Sequence, residues 1–342
     1  SGNTGRDHVY SERWGVAPAV VSFDMGGTST DVALIDGAVP LRPTGVVGDL
    51  SLATPMLDIH TVGAGGGSIA WVDDGGALRV GPQSAGADPG PACYGRGTLA
   101  TVTDANLVLG RLPADALLGG TVALQPDRAL RAFEALAQLL GGAAPRDVAA
   151  GVVRVAVERM AQAIRRVSVE RGVDPRGLTL CCFGGAGALH ACELADVLGM
   201  TRVVAPAHAG LLSAVGLLAS ADVATRARTV LGLDRPAVLA AGSALEAEVR
   251  GAVAAAARVD LRADCRFHGQ GYTLEVPLGD RVDDDFRDAH ARRFGFTLPH
   301  AVEVVTVRAR AEGAPTPLPP LVEPPTGPAA LRGPAHRVTL SS

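Results

Sequence analysis

Residues Val20 to Ile35 read VVSFDMGGTSTDVALI. An apolar run enters a glycine pair, crosses a cluster of hydroxyl side chains bracketed by Asp24 and Asp31, and leaves as a second apolar run. This is the pattern of a β-strand, a tight turn of phosphate size and a return strand. Gly26 and Gly27 let the backbone take positive φ and approach a ligand closely. Successive amides in such a turn form a concave anion site. Thr28, Ser29 and Thr30 add hydroxyl donors, and Asp24 and Asp31 supply hard oxygens suited to a magnesium ion or its waters. An ordinary glycine hairpin with surface hydroxyls would account for the glycines alone. Two acids and three hydroxyls between two apolar strands favour the phosphate turn.

Composition limits what such a turn can serve. A chain of 342 residues holds one large or two medium domains. An apolar fraction of 47% without any long uncharged apolar run indicates a soluble globular protein with no membrane segment. A net charge of −4 offers no broad basic surface for nucleic acid. All 31 basic residues are arginine, which excludes a P-loop lysine and a Schiff-base lysine within the sequence. The five cysteines form no Cys-x-x-Cys pair, which argues against a zinc ribbon or a thioredoxin motif. The thiols point to a reducing cytoplasm.

Working outward, residues 1–18 read as an irregular segment. Asp36-Gly37 is a hairpin signal leading to a third strand over Ala38 to Arg42. Asp58 to Val72 joins a polar stretch to the glycine run Gly65 to Gly67 and then a strand. Gly81 to Thr98 is too rich in glycine and proline for regular structure, and a loop of that length is usually functional or disordered. Thr103 caps a short helix to Leu112. Pro126 to Leu140 reads as a helix with Leu130, Phe133, Leu136, Leu139 and Leu140 on one face. A long helix over Val152 to Arg171 carries the stripe Val153, Val157, Met160, Ile164 and Val167. Leu178 to Phe183, a glycine turn, a helix and Arg202 to Ala205 make a βαβ unit buried on both faces. Gly210 to Leu218 is helical. The texture then changes to an alanine-rich helix over Ala237 to Ala257 and strands at Asp260 to Phe267 and Tyr272 to Val276. A polar helix over Asp283 to Phe294 and a strand over Val302 to Ala311 complete this part. The expected division is an α/β lobe over 19–225, a small α+β region over 226–313 and a proline-rich tail over 314–342.

A second glycine site, CCFGGAGALHA, follows a buried strand and precedes a helix. Gly184, Gly185 and Ala186 are placed there to hold a ribose or α-phosphate at a helix N-terminus, unless the glycines merely permit close packing. Asp58 lies near His60, where one acid can orient an imidazole tautomer. His190 reads as a core histidine. Cys93 is a possible nucleophile without an identifiable base.

The two glycine sites together resemble those of the actin, sugar-kinase and heat-shock chaperone superfamily. The fuller resemblance is to the hydantoinase A and 5-oxoprolinase family, which includes N-methylhydantoinase A and the acetone carboxylase beta subunit. It is carried by FDMGGTSTDVALI (Phe23 to Ile35), DIHTVGAGGGSIAW (Asp58 to Trp71) and GPQSAGADPGPACYGRG (Gly81 to Gly97). TDANLVLGRL (Thr103 to Leu112), FGGAGALHACELA (Phe183 to Ala195) and APAHAGLLSAVGLL (Ala205 to Leu218) continue it. The resemblance implies an actin-like, ribonuclease H-like ATPase lobe with a mixed β-sheet flanked by helices. It implies ATP and Mg2+ as cofactors, a small cyclic amide as substrate and a hydantoinase B-type subunit as partner. Gly26, Gly27, Thr28, Ser29 and Thr30 would then face phosphate, Asp24 and Asp31 magnesium or water, and Gly184, Gly185 and Ala186 the nucleoside. Asp58, His60 and the Gly65 to Gly67 run would lie on the substrate side.

Family members usually begin with a further lobe carrying its own D-x-G-G-T-F-T-D motif, and residues 1–22 do not supply it. The expectation is therefore an N-terminally truncated cyclic amide hydrolase subunit that activates a carbonyl oxygen by phosphorylation. The alternatives are a nucleotide-binding module without independent turnover and a subunit of an ATP-dependent ketone carboxylase. A chaperone-like or filament-forming ATPase is disfavoured by the long middle motifs.

Overall fold

The computed structural model describes residues 19–314 and 317, apart from 38–39, 43–44, 48–49, 53–55, 116, 119–121, 207 and 254–255. The segment expected at 1–18, and nearly all of the tail expected at 314–342, lie outside the described residues. The chain divides into two compact units at Leu217/Leu218.

The first unit is built on a five-stranded sheet. β1 (Ala19–Met25) and β2 (Thr30–Asp36) form the expected antiparallel hairpin. β3 (His60–Val62) pairs antiparallel with the far edge of β2. Beyond β3 come a hairpin of β4 (Ser68–Val72) and β5 (Leu78–Ser84), then α1 (Val102–Val108), α2 (Pro126–Leu139) and α3 (Pro145–Val167). β6 (Thr179–Phe183), α4 (Ala191–Leu198) and β7 (Arg202–Val204) are the βαβ unit. β6 lies parallel to β1, and β7 parallel to β6. The spatial order is β7-β6-β1-β2-β3. Counted along the chain this is 3-2-1-4-5 with the second strand reversed, the topology of a ribonuclease H-like, actin-like lobe.

Both faces of this sheet are covered, which is why β1 and β6 read as unbroken apolar runs. Val21, Phe23, Val32, Leu180 and Cys182 pack with the α3 stripe Val153, Val157, Met160, Ile164 and Val167. On the opposite face Val20, Cys181 and Phe183 pack on Leu212, the first residue of α5 (Leu212–Ala219).

Several expectations are corrected. The place beside β2 goes to His60–Val62, not to Ala38–Arg42: Leu41–Arg42 pairs with Met56–Leu57 in a separate two-stranded ladder. The Asp36-Gly37 signal concerns only the local turn, whereas β3 contributes Val62 to the core. In α2 the buried face is Ala129, Ala132, Phe133, Leu136 and Ala137, and Leu139 is 70% exposed. Alanine carries this interface, so a leucine count misplaces it. α3 begins at Pro145, an N-terminal proline that matches the helical φ. The cap of α1 is Thr101 rather than Thr103.

The second unit is a four-stranded antiparallel sheet with two helices. Its elements are β8 (Val223–Thr229), α6 (Arg235–Ala252), β9 (Ala256–Phe267), β10 (Leu274–Pro277), α7 (Val282–Phe294) and β11 (Val302–Gly313). The order is β8-β11-β9-β10. A boundary at 225/226 would cut through β8, which pairs with β11 along its whole length. Ala256 and Ala257, expected at the end of a helix, begin β9. Buried His290 is satisfied within this core, with Nδ1 2.9 Å from the Phe296 carbonyl and Nε2 3.0 Å from the Tyr272 hydroxyl.

Candidate functional site

The β1–β2 turn closes with the Gly26 amide donating to the Ser29 carbonyl at 3.1 Å. Neither Gly26 nor Gly27 takes positive φ, contrary to the expectation from sequence. The protein itself crowds neither position, so the room beside the turn is open to a ligand. A Cβ built on Gly27 meets nothing within 4 Å, and Gly27 and Thr28 are exposed. Their amides donate to no protein acceptor among the described residues. The turn thus presents bare backbone N–H groups at an open surface, the cradle a phosphate requires.

The Gly65–Gly67 run lies directly behind this turn. The Gly66 amide donates to the Gly26 carbonyl at 3.0 Å, and the Gly67 amide to the Gly27 carbonyl at 2.5 Å. A Cβ on Gly65 would stand 2.7 Å from the Gly27 oxygen and the Thr28 carbonyl carbon. These glycines buttress the turn instead of lining a substrate pocket. Thr30 belongs to the same support: its buried hydroxyl donates to the Ala64 carbonyl at 2.5 Å, so it does not face phosphate. The Thr28 hydroxyl stays at the surface, 3.5 Å from Ser84 Oγ, and Ser29 is half-buried.

Asp24 and Asp31 are direct partners across β1 and β2, so their side chains share one face of the sheet. Asp24 Oδ2 accepts from Ser213 Oγ at 2.9 Å, and Asp31 Oδ1 accepts from Thr61 Oγ1 at 2.5 Å. Burial pushes the Asp24 carboxyl above the usual range, the Ser213 hydrogen bond opposes this, and the charge of Asp31 adds to it. No group of three or more His, Cys, Asp or Glu among the described residues is placed to hold a metal. Magnesium is commonly held by one or two carboxylates together with ligand phosphates. Two carboxylates beside free amides fit a magnesium that arrives with a nucleotide.

Asp58 and His60 stand apart from that pair. Asp58 is ion-paired with Arg171 at 2.7 Å and Arg42 at 3.7 Å, not with His60. His60 is in register with Val32, one residue before Thr61, so its side chain faces away from Asp24 and Asp31. Burial, followed by the charge of Arg166, lowers its pKa. Strand alternation separates what sequence proximity suggested.

In the second glycine turn, Gly184 has φ +81, and a Cβ there would collide with Asp24 Oδ1 and the Met25 carbonyl. Its amide donates to Ala209 O at 2.9 Å, and that of Ala186 to Met25 O at 3.0 Å. Both amides are therefore committed to the protein and not to a nucleoside. Gly185 remains exposed, with open space at its Cβ position. Cys93 is buried, and desolvation together with the charge of Asp104 raises its thiol pKa, which removes it as a nucleophile.

Three residues of the site escaped the sequence reading: Ser213, Thr61 and Asp104. Asp104 is fully buried and accepts from the amides of Ala92 (3.1 Å), Cys93 (2.8 Å) and Thr101 (3.0 Å) and the Thr101 hydroxyl (2.7 Å). It pins the Gly/Pro loop to α1. Thr103 next to it donates its hydroxyl to the Gly66 carbonyl at 2.8 Å, extending the support to the glycine run. The signal for Asp104 was present as the capping box Thr101-x-x-Asp104. Ser213 and Thr61 have no local signal.

A 3-2-1-4-5 sheet with an open glycine turn between paired carboxylates is the fold of one actin-like lobe. The chain belongs to the hydantoinase/oxoprolinase family, whose profile matches residues 9–227. It is 37% identical over 318 residues to the 5-oxoprolinase PfmaA of Pestalotiopsis fici, covering 86% of this chain and 25% of that protein. It is 44% identical over 204 residues to the caprolactamase subunit alpha of Pseudomonas jessenii, covering 59% and 29%. The solved ATP-dependent caprolactamase of that organism superposes with a TM-score of 0.70 at 32% identity, over 95% of this chain and 51% of that one. Nucleotide-free acetone carboxylase superposes with a TM-score of 0.76 at 26% identity, over 92% and 48%. The chain thus spans about half or less of the length of the proteins it matches. No helix among the described residues is long and apolar enough to cross a membrane.

Proposed function

We propose that this chain supplies a nucleotide-binding lobe to an ATP-dependent cyclic amide hydrolase of the hydantoinase/5-oxoprolinase type. The observation that carries the reading is the open Gly27–Thr28 backbone, whose free amides stand beside two carboxylates in register. Bound Mg-ATP would supply a phosphoryl group to activate a carbonyl oxygen of the substrate. The Gly27 and Thr28 amides and the Thr28 hydroxyl hold phosphate oxygens, and because the turn is braced by Gly65–Gly67 these donors need little reorganisation. Asp24 and Asp31 hold the magnesium or orient its waters, and Gly185 leaves room for the nucleoside.

A cyclic amide substrate is supported by the names of the oxoprolinase and caprolactamase relatives. A B-type partner subunit is supported by one relative being a subunit alpha. The five free thiols agree with a reducing, cytoplasmic setting. A second reading, a module that binds nucleotide without independent turnover, is favoured by the separation of Asp58 and His60 from the carboxylate pair. A ketone carboxylase subunit is the third, favoured by the acetone carboxylase superposition.

The test measures ADP release from Mg-ATP with 5-oxoproline, hydantoin, caprolactam, or acetone plus bicarbonate, with and without a B-type partner. Lactam-stimulated release supports the hydrolase reading. Release stimulated only by acetone and bicarbonate replaces it with the carboxylase. Nucleotide binding without stimulated release under any condition leaves the binding module.

A further inference from the structure

Asp24 and Asp31 face each other across two paired strands, where like charges repel and disfavour the pairing. Each is held by a hydroxyl from an element outside the hairpin. Ser213, on α5, donates to Asp24 Oδ2 at 2.9 Å. Thr61, on β3 and in register with Asp31, donates to Asp31 Oδ1 at 2.5 Å.

Ser213 is itself anchored. Leu212, 1% exposed, fixes the start of α5 against Val20, Cys181 and Phe183, on the sheet face that carries Asp24. The Ala209 carbonyl just ahead of α5 accepts from Gly184, and Gly184 in turn walls Asp24 Oδ1. One oxygen of Asp24 is thus bonded to Ser213 while the other lies against a backbone with no Cβ. Both hydroxyl–carboxylate bonds are solvent-exposed, where a hydrogen bond adds little to folding stability. Their orienting effect on the carboxylates is the more consequential one.

We propose that Ser213 and Thr61 are positioning residues that hold Asp24 and Asp31 as a matched pair for one divalent cation carried on a nucleotide. The proposal rests on the nucleotide-binding reading above. It is tested on the 342-residue chain with Mn2+ and ADP as probes, free Mn2+ being counted by electron paramagnetic resonance. The variants are Ser213→Ala, Ser213→Thr, Thr61→Val and Thr61→Ser. A hydrogen bond to a charged group corresponds to about a tenfold change in binding. Ser213→Ala and Thr61→Val should therefore weaken Mn2+ uptake in the presence of ADP about tenfold. ADP affinity without metal and the metal-free melting temperature should stay at wild-type values, and Ser213→Thr and Thr61→Ser should restore Mn2+ uptake. Wild-type Mn2+ affinity in both Ser213→Ala and Thr61→Val overturns the proposal. So does a loss that appears equally without metal and is not rescued by the hydroxyl-bearing variants. If the unmutated chain takes up neither ADP nor Mn-ADP, the nucleotide reading fails first and the positioning proposal with it.

Discussion

Gly27 lies in the β1–β2 turn and Gly65 packs behind it, and the two should respond oppositely to the same methyl group. At Gly65 an added Cβ stands 2.7 Å from the Gly27 oxygen and the Thr28 carbonyl carbon, where ordinary contact begins at 3.4 Å. The neighbouring atoms are backbone of a hydrogen-bonded turn and cannot swing aside as a flexible side chain would. Overpacking of this kind costs about 1–3 kcal/mol. In a unit of this size that lowers the melting temperature by about 2–12 °C. At Gly27 the Cβ enters open space and φ is not left-handed, so Gly27→Ala leaves stability unchanged or raises it by at most about 1 kcal/mol. That methyl group does, however, occupy the room a phosphate would use. The assay is thermal melting of both variants with and without Mg-ADP. Gly65→Ala should melt early in both conditions, and Gly27→Ala should melt normally but lose the nucleotide-induced rise. Normal melting of Gly65→Ala, or an undiminished nucleotide shift in Gly27→Ala, would refute the reasoning.

Asp104→Asn places an amide group where four donors converge and leaves at least one buried N–H without an acceptor. At about 1–3 kcal/mol per buried orphan the expected loss is at least about 1–3 kcal/mol by urea unfolding; a loss below about 0.5 kcal/mol would mean that the Gly/Pro loop is held by something else. Glu193 gives a pH signature. Burial alone would raise its pKa, but the His190 ring 3.9 Å away and the Arg111 guanidinium, which donates at 2.7 and 2.6 Å, bring it down to about 2 from 4.5. A carboxylate lowered on folding stabilises above its unfolded pKa, and that contribution fades as pH falls. The advantage of the wild type over Glu193→Gln should be full above pH 4.5 and shrink steadily toward pH 2, as read from urea midpoints across that range.

How much of this was legible in the sequence depends on the range of each interaction. The β1–turn–β2 hairpin and the strand–glycine–helix at Phe183 to Ala195 announce themselves because apolar runs and glycine punctuation act over a few residues. The partners of the two carboxylates do not: Thr61 is 30 positions from Asp31, and Ser213 is 189 positions from Asp24. Glycine itself is ambiguous. At Gly184 it serves positive φ and a close approach, at Gly65 close approach alone, and at Gly27 open room, and all three look the same in a string of letters. Asp58 and His60 show the converse, since proximity along the chain implied a pair that strand alternation and the Arg171 ion pair dissolve. The cap at Thr101 was within reach, because its partner Asp104 lies only three residues on.

The most direct measurement of the central claim is calorimetric titration of Mg-ATP into the chain and into Gly27→Val, alongside their unfolding curves. The expected result is saturable binding to the unmutated chain and none to Gly27→Val, at equal stability. Equal binding by both, or no binding by the unmutated chain, would contradict the assignment of the Gly26–Thr28 turn as the phosphate site.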